Sequence, residues 1–504
     1  MPTRAARVAA RAAAGPGTAA VRTAGASAAA ATGTAGASAA GAGSGGGRGS
    51  RTVPAQGGDG GDRGARGQGT AAGDRDGAPD GRDGVSGGRD GAAGPRRGSF
   101  LAPYRRLFAA PGSLAFTLTA LVARLPGSML GVSIVLMVAL TRDSYALAGA
   151  VSATGVAATA VCSPLLGRLV DRYGQSRVAV PAVLVFAAGM AAMLLCVHHD
   201  APAWTLFVCA VSSSAVPGVG AMTRARWTEL YRDDAAARHT ANSFEQVVDE
   251  LCFMVGPALA MVLCTTVFPE AGLLTGATLM VAGTLAFAAQ RTTEPPPHPR
   301  TTAADGTAAG AGAPLRIPEL RMVLVTFLAT GALFGSMEVA TVATVESYGS
   351  GTASSAVLAL QAAGSCVAGL VFGTLPVRGS ATARFVTGAA AMAVAVPPLL
   401  LAGNLPVLAV LLLLAGMATA PTMITGMSLV QRVLPPARLN EGITTVYTGL
   451  LVGISAGAAA GGWTVEHLGA DAGYAAPAVA GALALAAAVG GARRTAPRAG
   501  RARG

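Results

Sequence analysis

Long apolar stretches alternate with short polar connections along the chain from residue 113 onward. Each apolar stretch holds about 20 residues or more, which is the length an α-helix needs to cross the hydrocarbon core of a bilayer. The pattern therefore predicts twelve membrane-spanning helices. They are expected near residues 113–140, 146–168, 178–197, 203–223, 241–267, 271–290, 320–345, 353–376, 383–402, 405–431, 441–463 and 472–490.

The polar remainder of the chain marks the domain boundaries. Residues 1–98 contain almost no large apolar side chain, so they cannot form a packed core and are predicted to be disordered. A stretch rich in Pro, Ala and Gly at 291–317 is predicted to be a cytoplasmic linker between two groups of six helices. We expect the first six-helix bundle at 99–290, the second at 318–490, and a basic tail at 491–504.

The composition is that of a membrane protein. Hydrophobic residues make up 52% of the chain and charged residues only 12%, against about 25% charged residues in soluble domains. The net charge of +12 does not indicate nucleic-acid binding, because the arginines form no single patch interleaved with aromatic residues. We therefore expect the lipid bilayer, and no nucleic acid, as a partner.

The sequence carries no signature of an enzyme. It has no Walker-type glycine-rich loop, so ATP hydrolysis is not expected to drive the protein. The six cysteines lie inside apolar stretches without a Cys-x-x-Cys pair, and they are interpreted as buried filler. The pair His198-His199 has no further ligand near it in the sequence. We expect no enzymatic activity, no cofactor and no metal site.

Arginines in the connections predict how the chain is oriented. Cytoplasmic loops of membrane proteins carry an excess of cations. Every second connection of this chain is rich in arginine, whereas the intervening connections carry only Arg142 as a basic residue besides histidines. This alternation predicts a multi-pass protein of the cytoplasmic (plasma) membrane with both termini in the cytoplasm. The arginines on that side are Arg168, Arg172, Arg177, Arg224, Arg226, Arg232, Arg238, Arg291, Arg300, Arg316, Arg321, Arg378, Arg384, Arg432, Arg438, Arg493, Arg494 and Arg498.

The turn between the second and third predicted helices has a distinctive sequence, from Gly167 to Arg177. Gly167 allows two helices to approach closely, and Gly174 supplies the reversal of the chain. Asp171 is a carboxylate that can accept hydrogen bonds from N–H groups at the start of a neighbouring helix. Arg172 and Arg177 hold the turn on the cytoplasmic side. These five residues are candidates for controlling a conformational change.

This turn resembles the loop between helices 2 and 3 of the major facilitator superfamily, whose pattern is Gly-x-Leu-Ala-Asp-Arg-x-Gly-Arg-Lys. The matching positions are Gly167, Leu169, Asp171, Arg172 and Gly174. The resemblance implies an all-α membrane protein with twelve transmembrane helices in two pseudo-symmetric six-helix bundles. It also implies a monomeric carrier that works by alternating access, with a substrate site between the bundles and with the Asp171 turn latching one conformation.

Ionisable side chains inside predicted helices are candidates for transport chemistry, because they are costly in lipid unless paired or wet. Arg124, Glu245, Asp249 and Glu338 are such residues. Arg124 and Asp249 reach a similar depth, about 13–15 Å from the cytoplasmic side at 1.5 Å per residue, so they can pair. Protonation of Asp249 would then release Arg124 and couple proton flow to a movement of the bundles. The alternative is a permanent ion pair that joins two helices.

Two further features bear on the transport class. Gly256-Pro257 resembles the Gly-Pro of drug–proton antiporters of the superfamily, but Cys252, Ala260 and Met261 stand where that signature has glycine. A proline kink without a coupling role is the alternative. Gln361, inside the eighth predicted helix, is either a hydrogen-bonding group for a substrate or a contact between helices.

We therefore predict a bacterial, efflux-type secondary transporter that exports a small molecule in exchange for protons. One alternative is uptake or facilitated diffusion of a nutrient. A second alternative, from a different class, is a membrane receptor that has kept the fold and does not transport. Charges retained at mid-helix argue against the receptor, because they are costly without a use.

Overall fold

The computed structural model describes residues 101–298, 314–350 and 353–495. The predicted disordered tail at 1–98, the middle of the linker at 299–313 and the chain end from residue 496 lie outside the described residues. Within the described ranges all regular secondary structure is helical. The protein is therefore an all-α protein in the part that the structure describes.

The first half of the described chain contains a short leading helix and the first bundle. The bounds are α1 Ala102–Leu107, α2 Ser113–Arg142, α3 Tyr145–Tyr173, α4 Gln175–His198, α5 Ala203–Ser212, α6 Val219–Leu230, α7 Ala235–Thr266 and α8 Ala271–Ala289. The second bundle contains α9 Pro318–Ser347, α10 Ser354–Phe372, α11 Ala381–Ala395, α12 Leu405–Val433, α13 Leu439–Leu468 and α14 Ala475–Thr495. Short 3₁₀ turns flank the linker at Arg291–Thr293 and Pro314–Arg316.

Eleven helices of the described ranges are long and apolar enough to cross a membrane. The twelfth crossing is made by α5 and α6 together. The sequence predicts one helix over 203–223, whereas the structure breaks it between Ser212 and Val219. Pro217 has no backbone N–H to donate and Gly218 favours a break, so the helix restarts at Val219 and continues to Leu230. The restart carries Arg224 and Trp227 on a helix, where the sequence predicts a loop.

Each bundle has its own apolar core, and its outer surface is also apolar. Phe186, Met193 and Leu206 are fully enclosed in the first bundle. Phe327 and Phe385 are fully enclosed in the second. Large apolar side chains on the outside of the helices stay exposed, such as Val161 at 67% and Leu165 at 55%. An exposed apolar belt of this kind matches a surface that faces lipid.

The two bundles meet at the end where the arginine-bearing connections lie, here named the arginine-rich end. Tyr104 of α1 donates to Leu370 O at 2.8 Å, and Thr240 donates to Gly373 O at 2.9 Å. Burial raises the pKa of Tyr104 to about 12, so the phenol stays protonated and remains a donor at neutral pH. Asn242 of α7 exchanges hydrogen bonds with the side chain of Gln431 on α12. The arginine-rich end is therefore closed.

Candidate functional site

Two arginines and two carboxylates form a network between α2, α6 and α7. Arg124 of α2 pairs with both Glu245 and Asp249 of α7. Arg224 Nη2 of α6 lies 2.7 Å from Asp249 Oδ2. The same oxygen accepts a hydrogen bond from Tyr447 OH at 2.8 Å. Since Tyr447 belongs to α13, this carboxylate joins the first bundle to the second.

Local helix geometry places these groups on facing surfaces. Glu245 and Asp249 are four residues apart, so they lie on the same face of α7. Arg224 and Trp227 are three residues apart on α6 and point into the same region. Trp227 Nε1 donates to Glu245 Oε1 at 2.8 Å. The restarted helix α6 is therefore the element that completes the network.

The network is neutral as a whole, and it is unevenly exposed. The side chains of Arg224 and Glu245 are each 1% exposed, whereas that of Asp249 is 16% exposed. Two cations face two anions, and such pairing is needed because an uncompensated buried charge is strongly destabilising. Asp249 is the carboxylate of the pair that solvent can reach. It is therefore the better placed of the two to exchange a proton.

Sequence reasoning predicts the meeting of Arg124 and Asp249 but misses Arg224, Trp227 and Tyr447. Arg224 looks like a loop cation because the fourth predicted helix ends at 223. The spacing of an arginine and a tryptophan three residues apart is the signal that could have placed them on one helical face. Tyr447 is separated from Asp249 by 198 residues, and no local pattern reports such a contact.

A third carboxylate of α7, Glu250, lies on the side of α10. Its Oε1 accepts from Ser365 Oγ at 2.8 Å and from Gln246 Nε2 at 3.1 Å. Among the described residues no cation lies within ion-pair distance of it. Glu250 therefore also joins the two bundles, but through neutral donors.

The structure does not bring the other two predicted candidates into the network. Glu338 of α9 is half-buried and forms no hydrogen bond or ion pair with the residues that the structure describes. Gln361 of α10 faces Gly416 through its backbone, and a Cβ on Gly416 would overlap the backbone oxygen of Gln361. Glu338 and Gln361 therefore remain candidates only because they lie inside helices.

Asp171 closes the arginine-rich end against the start of α13. Its Oδ1 accepts from Asn440 N at 3.0 Å and from Asn440 Nδ2 at 2.8 Å, and its Oδ2 accepts from Glu441 N at 2.9 Å. The first N–H groups of a helix lack intrahelical acceptors and carry partial positive charge. A carboxylate at this place satisfies them. We name this contact between Asp171 and the start of α13 the turn latch.

The two glycines of the turn have the geometry that the sequence predicts. A Cβ on Gly167 would overlap Thr444 and the backbone of Asn440, so α3 and α13 meet there backbone to backbone. Gly174 has φ 97°, a conformation that side chains rarely adopt. These two positions bring the carboxylate of Asp171 to the other bundle.

The arginines of the turn stay outside the latch. Arg172 and Arg177 are exposed, and Arg172 lies over the ring of Tyr173 at 5.0 Å. Gln175, where the family pattern has a cation, is buried. It donates to Met222 O at 3.0 Å and accepts from Arg226 Nε at 2.8 Å.

Gly256 and Pro257 lie inside α7, which continues through them. A Cβ on Gly256 would overlap Ser128 of α2. Ser128 Oγ donates to Cys252 O at 2.6 Å. The Gly-Pro element therefore brings α2 and α7 together close to the pair of Arg124 and Asp249.

Potential metal ligands do not cluster in the described part of the chain. The structure groups no three His, Cys, Asp or Glu side chains there in a way that could hold a metal ion. The six cysteines are free thiols.

A family model matches two overlapping stretches of this chain. The model described as Major Facilitator Superfamily matches residues 116–396 and 322–504. A comparison with curated proteins finds no match.

Solved structures similar to this one are membrane transporters. The human organic anion transporter MFSD10 (TETRAN) is 16% identical with a TM-score of 0.55, covering 77% of this chain and 99% of its own. A bacterial homologue of the iron transporter ferroportin, in an outward-facing state with soaked iron, is 13% identical with a TM-score of 0.60, covering 75% and 99%. The proton:xylose symporter XylE bound to 6-bromo-6-deoxy-D-glucose is 14% identical with a TM-score of 0.58, covering 78% and 97%.

Proposed function

This chain belongs to the major facilitator superfamily, and we propose that it exports a small molecule across the cytoplasmic membrane in exchange for protons. The observation that carries the proposal is the position of Asp249. This carboxylate is bound by two arginines of the first bundle and by Tyr447 of the second, so its charge bears on the contact between the bundles.

The direction in which the carrier faces follows from its closed end. Where both partners are described, the hydrogen bonds between the bundles lie between the arginine-rich end and the level of Asp249. The arginine distribution predicts that this end faces the cytoplasm. The structure then corresponds to an outward-facing state, closed to the cytoplasm by the turn latch. Both termini lie on the cytoplasmic side in this arrangement.

Protonation of Asp249 provides a physical route to coupling. A protonated carboxyl group loses most of its attraction for Arg224 and Arg124, whereas Arg124 keeps its second partner, Glu245. Tyr447 then loses a charged acceptor, and the bond between the bundles weakens. A proton that enters from the open side thus favours opening of the arginine-rich end. In this scheme the proton moves inward and the substrate moves outward.

The substrate site is proposed between the bundles, near the middle of the membrane. The helices around that region are largely apolar, which favours a small and amphiphilic substrate. Gly256-Pro257 lies beside the network on α7, and its resemblance to the Gly-Pro of drug–proton antiporters supports export. Glu338 and Gln361 are proposed as further groups lining the substrate path.

The experiment uses purified full-length protein in lipid vesicles with an imposed pH gradient and pools of candidate compounds. We expect a compound to accumulate against its gradient only while the proton gradient exists. In the Asp249→Asn variant, accumulation driven by the proton gradient is expected to fall at least about tenfold. Glu346→Gln, an exposed position at the end of α9, is the matched control and is expected to transport normally.

The same experiment separates the alternatives. Accumulation in the direction of proton flow would indicate uptake of a nutrient. Transport that is indifferent to the gradient would indicate facilitated diffusion. Proton movement without any pool, together with no accumulation of any pool, would favour the receptor. Full gradient-dependent transport in Asp249→Asn would remove this residue from the coupling role.

A further inference from the structure

A cavity of about 840 Å³ lies at the arginine-rich end, in the closed contact between the bundles. The first bundle supplies Arg238 and His239, and the second supplies Arg384 and Arg432. His298 of the linker and Arg232, in the connection between α6 and α7, bring the basic groups in its wall to six. The volume is in the range of small-molecule sites. It is separate from the network around Asp249, none of whose members lines it.

The cations of this cavity are poorly neutralised by the residues that the structure describes. The lining includes one carboxylate from those residues, Glu229, and it is paired with Arg232. Arg238 donates to the backbone oxygens of Tyr231 and Arg232 and, within the described ranges, to no acid. Counted over the described residues, the cavity has a surplus of positive charge.

Two arginines have no described partner at all. The side chains of Arg384 and Arg432 form no hydrogen bond or ion pair with any described residue. The Nε atom of Arg384 and the Nδ1 atom of the buried His239 are enclosed without a hydrogen-bond partner in the described part of the chain. Buried polar atoms of native proteins are nearly always satisfied. The wall of this cavity is therefore incomplete without a further group.

An orientation signal alone does not account for this arrangement. Arginines that orient a membrane protein need only lie in the connections, near lipid headgroups and water. These arginines come from both bundles and line one concave space between them. A concave site lined by charges of one sign concentrates counter-ions. The two parallel N–H donors of a guanidinium group match the oxygens of phosphate and carboxylate groups.

We propose that this cavity binds a small anion that carries phosphate or carboxylate groups, bridging the two bundles. Because Arg238 and Arg384 belong to different bundles, the anion binds the closed arrangement better than the open one and stabilises it by mass action. The ligand is either a soluble phosphate compound or the headgroup of an anionic lipid. The proposal does not depend on the direction or the coupling of transport.

The test measures thermal unfolding of the purified full-length protein in neutral detergent. Inorganic phosphate and pyrophosphate are titrated at constant ionic strength with chloride as the balance. We expect both to raise the unfolding midpoint, pyrophosphate more than phosphate. The double variant Arg384→Gln/Arg432→Gln should need at least about tenfold more pyrophosphate for the same shift, because it loses two charge-assisted hydrogen bonds. Arg493→Gln, an exposed arginine of α14 outside the cavity, should behave as the native protein does.

A second variant keeps the test decisive if the double variant does not fold. Val377→Glu adds an acid to the cavity from an exposed loop position and removes no hydrogen bond. It should also weaken the response to pyrophosphate. An equal shift in the native protein and both cavity variants, or no shift in the native protein with either anion, would overturn the proposal.

A second set of measurements, in lipid, distinguishes a soluble anion from a lipid headgroup. The protein is placed in nanodiscs of phosphatidylcholine, with or without phosphatidylglycerol. The ligand is a lipid headgroup if phosphatidylglycerol raises the unfolding midpoint of the native protein but not of the cavity variants. In that case the lipid also abolishes the response to pyrophosphate. A pyrophosphate response that persists in both membranes identifies a soluble anion. A phosphatidylglycerol effect shared by all variants, without any pyrophosphate response, counts against the site.

Discussion

Single side chains decide how strongly the two bundles are held together beside the network. Tyr447 gives the network its only described hydrogen bond from the second bundle, and its acceptor is a charged carboxylate. Hydrogen bonds to charged groups contribute about 1.5–3 kcal/mol. Asp249 keeps both arginines when this bond is lost. Removal of one hydroxyl should therefore loosen the bundle contact without unfolding either bundle.

We expect Tyr447→Phe to open the arginine-rich end about tenfold more often, which corresponds to the lower part of that energy range. The readout is the labelling rate of Ser243→Cys in a background without the native cysteines. Ser243 is fully buried between the bundles, and its hydroxyl has no hydrogen-bond partner among the residues with a described position, so the reporter removes no described bond. Tyr348→Phe, whose hydroxyl bonds within the second bundle, is the control. An unchanged labelling rate in Tyr447→Phe would show that the hydroxyl does not hold the bundles.

Adjacent carboxylates of α7 should respond differently to loss of charge. Glu250 is held by Ser365 and Gln246, which are neutral, so Glu250→Gln can keep both contacts and should cost less than about 1 kcal/mol. Asp249→Asn leaves two buried arginines with one acid and should cost about 3–5 kcal/mol. Thermal unfolding of the two variants in detergent measures the difference. Equal destabilisation would mean that Glu250 has a charged partner in the folded protein.

Pairs of helices, rather than loops, set the contact at the turn latch. Two elements carry it: α3 holds Asp171 in its last turn, and α13 begins with the N–H groups that Asp171 binds. The corresponding contact on the other side of the pseudo-symmetry axis is built differently. There His239 and Thr240 at the start of α7 bind the carbonyl oxygens of Phe372 and Gly373. One side thus uses a carboxylate, and the other uses the last carbonyls of a helix.

The close approach of α3 and α13 gives a prediction at the level of these two helices. Gly167→Ala places a Cβ against the backbone of Asn440, and overpacking of this kind costs about 1–3 kcal/mol. The bundles can relieve the overlap by separating, so the Ser243→Cys reporter should label faster while the unfolding midpoint changes little. Gly462→Ala is the matched control, because a Cβ there meets no atom within 4 Å. A lowered unfolding midpoint with no change in labelling would contradict this prediction.

The helices show which parts of the structure the sequence can predict. Hydropathy places α3 at 146–168 and the structure has Tyr145–Tyr173, because the length of a spanning helix is set by the bilayer. Hydropathy averaged over a window of residues misses the break at Pro217-Gly218, because this average does not register where backbone hydrogen bonding stops. Depth along a helix predicts the meeting of Arg124 and Asp249. It cannot predict Tyr447, because that contact depends on how two bundles dock.

The whole chain combines two bundles with unequal chemistry inside one fold. The first bundle carries both arginines and both acids of the network, and the second contributes Tyr447 to it and Ser365 to the neighbouring Glu250. The carboxylate whose charge changes in the proposed cycle therefore lies in the first bundle, and the hydroxyl that responds to the change lies in the second. This division allows protonation to alter the docking of the bundles without disturbing either core.

The orientation of the molecule in the membrane is testable on intact cells. In a background without the native cysteines, Tyr173→Cys marks the turn after α3, and His199→Cys marks the connection after α4; both positions are exposed. A membrane-impermeant maleimide should label His199→Cys from outside. It should label Tyr173→Cys only after the membrane is permeabilised, because connections rich in arginine are expected in the cytoplasm. Permeabilised cells should label both variants equally. Labelling of both from outside would show that the count of crossings is wrong. Labelling of Tyr173→Cys alone from outside would place the turn latch on the outer side, and the proposed outward-facing state would then be inward-facing.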